Sequence, residues 1–306
     1  MISLVPFLTL GARRQLAMNG LANLDLLNLF PSSPDPRAYY PATSHERVAQ
    51  NILQDIANGN PFSLVLGDAG SGKTLLVQVL LERLAELPQV VFIQHGHFDS
   101  PDAILKAILF DLGIPHQGLT LADLRLLIAD SLLNNFAQGG PTLIIQDEAH
   151  LLAHSVLEEY RLLGNLEAGR KRAAQIIFLA HPLMEITLTA PELVSLEQRL
   201  ARNFLKPLEA IEAVDYLLFH GRLAGFLHPL FNQTQLNWIL SKGKGVPRLL
   251  NHFARVVLQG RQDDQDSLDA CRTSPSAHSS ETLSWEGITG PEVRLLTKAD
   301  WNQSAK

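Results

Sequence analysis

Nine consecutive residues, Leu66 to Thr74 (LGDAGSGKT), have the types and spacing that hold a chain of phosphates. Gly67 to Thr74 satisfy G-x-x-x-x-G-K-[ST]. Gly67, Gly70 and Gly72 let the backbone approach an anion closely, while Asp68, Ala69 and Ser71 contribute further backbone N–H groups at the positive end of the helix that follows. Lys73 is placed to reach the β- and γ-phosphates, and the Thr74 hydroxyl to ligate Mg²⁺. The expected ligands are ATP and Mg²⁺.

Hydrolysis needs two more groups, an acid that orients the metal and a base that positions water. The run TLIIQDEAH supplies a carboxylate for each at its end. Asp147 is the candidate metal-shell ligand and Glu148 the candidate that polarises the water. Taken alone, the pair would read better as a cap of the next helix; the phosphate loop upstream turns the reading to hydrolysis. Three arginines are candidates to sense the γ-phosphate: Arg199 and Arg202 in LEQRLARN, able to point into a neighbouring subunit, and Arg248 in KGVPRLLN, able to close a small domain over nucleotide. The sequence does not choose between Arg199 and Arg202.

These residues need a scaffold. Four continuous apolar runs, at 62–67, 89–95, 142–147 and 175–181, suit strands buried on both faces of a parallel sheet, and a short fifth is expected at 203–208. Helical segments alternate with them: 45–60 has helical spacing, Ser100 and Pro101 read as a helix start, Gly113 as a stop, and Thr120 with Asp123 as a capping box. The expected class is α/β, a P-loop NTPase parallel sheet flanked by helices. Beyond Glu209 the strand signals stop and three helical segments remain, a small all-helical lid. The expected division is an N-terminal segment and extended arm (1–44), a nucleotide-binding α/β domain (45–208), the lid (209–261) and a polar, flexible tail (262–306).

Composition sets the broad class. Hydrophobic residues are 46% and charged residues 18% of 306, as in a globular protein, and the net charge of -6 gives no overall pull toward nucleic acid or anionic membrane. Residues 199–261 differ, with nine Arg or Lys against three Asp or Glu, a local surface that could meet duplex DNA. The single cysteine, Cys271, forms no internal disulfide, and no export signal or spanning segment is legible, so a cytoplasmic protein is expected.

The arm SPDPRAYYPATSHE, the loop GDAGSGKT, the strand IIQDEAH, the run PELVSLEQRLARNFLKPL, and RLAGF, PLF and KGVPRLLN together resemble the AAA+ ATPases of the ExeA type (general secretion pathway protein A), over about residues 29 to 260. The resemblance implies strand order 5-1-4-3-2, a helical lid, ATP with Mg²⁺, and a homo-oligomer that brings an arginine finger to the neighbouring site. His181, in FLAHPL, stands where such proteins commonly have a glutamine or asparagine that senses the γ-phosphate; a histidine can also donate that hydrogen bond. The secretion proteins continue into a membrane segment and a peptidoglycan-binding region, where this sequence has a polar tail. Two roles follow as expectations: an ATPase working with a membrane or secretion-machine protein, or a DNA-binding ATPase regulator associated with transposition.

Overall fold

The computed structural model describes residues 29–31, 33–84, 89–226 and 229–262. The expected N-terminal segment before residue 29 and the tail after 262, with Cys271, lie outside the described residues.

Five parallel strands form the main sheet: β1 (Phe62–Leu66), β2 (Val90–Ile93), β3 (Thr142–Gln146), β4 (Ala174–Ala180) and β5 (Leu200–Phe204). Their order is β2-β3-β4-β1-β5, the expected 5-1-4-3-2. Side chains alternate between faces along each strand, so one face collects Leu64, Ile144, Ile176 and Phe178 and the other Val65, Leu143, Ile145, Ile177 and Leu179. Both faces are covered. Helices α3 (Pro101–Asp111), α4 (Leu121–Gln138) and α5 (His154–Gly164) pack on the first face, α1 (Thr43–Asn58) and α2 (Lys73–Arg83) on the second. That is why β1, β3 and β4 read as mainly apolar runs and are buried at every position, each aliphatic side chain contributing roughly 1.5–3 kcal/mol.

The fifth strand is shifted from its expected place. It spans Leu200–Phe204 and not 203–208, because it pairs with β1 from Phe62↔Leu200 to Leu66↔Phe204 and β1 ends where the phosphate loop begins. Arg202 therefore lies within the strand. Before it the chain forms a 3-10 turn, Pro191–Leu193, and one α-turn, Val194–Glu197. Thr120 and Asp123 form the expected capping box, whereas the Ser100 hydroxyl bonds Asp102 (2.6 Å) and caps no backbone N–H.

Helices α6 (Ala210–Leu223), α7 (Gln233–Gly243) and α8 (Pro247–Gln262) share a separate apolar cluster. The arm is anchored in that cluster. Phe30 is fully buried, its ring 5.6 Å from His220 and 6.0 Å from Phe231, and Tyr40 lies edge-on to Tyr216. Among the described residues of the arm, Pro36–Ala38 form a 3-10 turn that starts at Pro36, its N-cap Asp35 accepting from the Arg37 N–H.

Candidate functional site

The loop between β1 and α2 turns on two glycines in the left-handed region, Gly70 (φ 82) and Gly72 (φ 97), a conformation that costs other residues about 1 kcal/mol or more. Gly72 is the N-cap of α2 and offers no side chain, so the free N–H groups of the first turn have no capping partner. The loop fits an anion on three further observations. Lys73 lies across it, Nζ donating to the carbonyls of Gly67 (2.7 Å) and Asp68 (3.2 Å). Burial lowers the Lys73 pKa, opposed by Glu148, Asp147 and Asp68. Among the described residues, the buried Ser71 hydroxyl has no hydrogen-bond partner.

The residues expected around a metal meet here. Thr74 Oγ1 donates to Asp147 Oδ2 at 2.6 Å, and the other Asp147 oxygen accepts from the Glu148 N–H at 2.8 Å. Glu148 has positive φ (52), and its side chain is half-exposed, 3.6 Å from His150 Nδ1. Two contacts hold this turn. Gly96 sits so close that a Cβ there would be 2.2 Å from the Glu148 carbonyl oxygen. The buried Gln146 donates to the His95 carbonyl (2.8 Å) and accepts from Tyr160 Oη, joining the strand to the loop after β2.

One cleft, of about 140 Å³, joins Gly70, Gly72, Lys73, Thr74 and Glu148 to Arg248 and Tyr216 of the lid helices and to Pro31, Pro34 and Asp35 of the arm. Arg248 is seated on the loop: its backbone N–H donates to Gly70 O (3.2 Å), and a Cβ on Gly70 would lie 2.6 Å from Arg248 Cβ. His220, also in the lining, is kept neutral by burial, which pulls its pKa down to about 4.

His181 stands at the end of β4, its Nε2 3.7 Å from Asp68 and its ring 5.8 Å from that of His150. Arg199 and Arg202 are not among the residues lining the cleft. Arg202 is held by Glu185 (3.1 Å) and Glu197 (2.6 Å), while Arg199 is exposed and bonds the Asn165 side chain. Sequence reasoning did not single out Gly96, Gln146, Tyr160, His150, His220 or His45, whose ring reaches the loop carbonyl of Ser71. The only local signal was a glutamine inside an otherwise apolar strand.

The AAA domain family matches residues 56–187. The general secretion pathway protein A of Aeromonas hydrophila is 33% identical over 226 residues, which are 72% of this chain; the chain spans 41% of that relative's length. Among solved structures, Cdc6p from Pyrobaculum aerophilum aligns with TM-score 0.60 at 19% identity, over 78% of this chain and 66% of that one. The Aeropyrum pernix ORC2 protein, solved as ADPNP and ADP complexes, aligns with TM-score 0.53 at 18% identity, over 74% and 63%. At these identities the likeness is one of fold. Residues 56–187 are thus an AAA domain, a nucleotide-binding P-loop unit, in a chain similar to general secretion pathway protein A.

Proposed function

We propose that the protein is a Mg²⁺-dependent ATPase, organised as an α/β domain (45–208) and a helical lid (209–261), whose hydrolysis is coupled to self-assembly and to control of a partner. The observation that carries this reading is the single cleft shared by Lys73, Thr74, Glu148 and Arg248. Bound Mg²⁺ would neutralise phosphate charge and fix its geometry. Lys73 and the loop backbone would bind the phosphates, with Thr74 and Asp147, already 2.6 Å apart, holding the metal and its shell. Glu148, half-exposed at the cleft, would orient water and accept its proton. Arg248 would report bound nucleotide to the lid, and His181 would sense the phosphates from the end of β4.

Between the two finger candidates, the contacts favour Arg199. Two carboxylates hold Arg202 within the subunit, whereas among the described residues Arg199 is bonded by a neutral amide. The similarity to general secretion pathway protein A supports a secretion-machine or membrane protein as partner, and among the described residues no helix is long and apolar enough to cross a membrane. Exposed Lys242 and Lys244, at the end of α7, support duplex DNA as a second partner class. The test is steady-state ATP hydrolysis with and without duplex DNA at two salt concentrations, with Lys73→Ala as the blank. Turnover that Lys73→Ala abolishes is expected; equal turnover by the variant would overturn the reading. Stimulation by DNA that fades with salt would select the DNA-associated role.

A further inference from the structure

The first turn of α1, Thr43 to Glu46, bonds outward at every residue. Thr43 N–H donates to Glu212 of the lid helix α6 at 2.9 Å. It is free to do so because the first N–H groups of a helix have no acceptor within the helix. The Ser44 hydroxyl accepts from Lys206 N–H at 2.9 Å, on the segment that runs from β5 to the lid. His45 Nε2 lies 2.8 Å from Ser71 O in the phosphate loop. Glu46 accepts from Arg83 of α2 (2.8 and 3.0 Å) and from the Tyr39 hydroxyl of the arm (2.8 Å).

We infer that this turn is a junction tying the shape of the phosphate loop to the seating of the lid, and that His45 is its positioning residue. The inference rests on the reading of the loop as the phosphate site. A carbonyl only accepts, so Nε2 carries the proton and Nδ1, buried without a partner among the described residues, does not. His45 is 5% exposed and lies under Gly72, where a Cβ would come within 3.1 Å of Nε2. The Ser71–Gly72 peptide is planar and trans, so its C=O and N–H point to opposite sides. Holding the Ser71 carbonyl toward α1 therefore turns the Gly72 N–H away from α1, and Gly72 lines the cleft. Three residues earlier in the chain than Glu46, the Thr43 bond to Glu212 anchors the same turn to the lid.

The test compares wild type, His45→Leu, His45→Gln and Glu212→Ala in two measurements: affinity for a fluorescent ATP analogue with Mg²⁺, and amide exchange of residues 67–74 without nucleotide. His45→Leu should bind about tenfold more weakly and exchange faster in the loop, as expected for one lost hydrogen bond. His45→Gln, which keeps an N–H donor, should stay within about threefold of wild type. Glu212→Ala, with no contact to the loop, should still speed loop exchange. Wild-type binding with His45→Leu inside the same threefold range would overturn the positioning role. Unchanged loop exchange in Glu212→Ala would overturn the junction, even if His45→Leu failed to fold. A wild type that binds no nucleotide would instead refute the phosphate reading, and the exchange comparison would still decide the junction.

Discussion

Gly96→Ala is the sharpest perturbation of the proposed chemistry, because it removes no candidate group and displaces one. Gly96 does not have positive φ, so its backbone accepts alanine and the effect is purely steric. The new methyl would meet the Glu148 carbonyl oxygen at 2.2 Å, the Leu151 Cβ at 3.0 Å and the Glu148 carbonyl carbon at 3.1 Å. Two of these three are backbone atoms and cannot swing aside. To restore ordinary contact the Glu148 peptide must retreat by roughly 1 Å. Glu148 already has φ 52, which leaves the turn little slack. A displacement of about 1 Å at a positioning group costs on the order of 100-fold in rate. Overpacking of this kind costs about 1–3 kcal/mol of stability. Steady-state hydrolysis should therefore fall about 100-fold, while affinity for a fluorescent ATP analogue stays within about threefold, since the phosphate loop is untouched. Turnover within threefold of wild type in a folded Gly96→Ala protein would refute the claim that the Glu148 turn sets the rate.

Glu148→Gln should retain nucleotide affinity and lose turnover by roughly 10²–10⁴, read by the same two assays; an active variant would assign the water to another group. If Arg199 serves a neighbouring subunit, Arg199→Ala mixed with Glu148→Gln should recover part of the turnover that each lacks alone, and no recovery would count against a shared site. Breaking the Glu46–Arg83 pair, whose side chains are 12% and 9% exposed, should cost roughly 3 kcal/mol in denaturant unfolding of Glu46→Gln. Burial opposes ionisation of Glu46, but hydrogen bonds from Arg83 and Tyr39 outweigh it and hold its pKa below the ordinary 4.5. Its stabilisation is thus complete above about pH 4.5 and lost as pH falls through the lower folded value, so wild type should lose stability more steeply on acidification than Glu46→Gln.

The sheet, the phosphate loop and the lid helices were legible because each rests on neighbours in sequence. An eight-residue loop encodes its own turns through glycine. A strand buried on both faces is mainly apolar along its length, and the capping box of Thr120 and Asp123 is complete within one turn. Boundaries set by a partner were not legible in this way. The fifth strand ends where β1 ends, which no property of residues 203–208 records.

Only the tertiary structure separated Arg202, held by Glu185 and Glu197, from Arg199 three residues away, since the difference lies in which carboxylates fold against each side chain. It also brought Gly96 under Glu148, Arg248 onto Gly70 and His45 onto Ser71. In each case one small or uncharged partner lies far along the chain from the other. Local pattern carries the element that a residue belongs to; the pairing of distant elements decides what that residue touches.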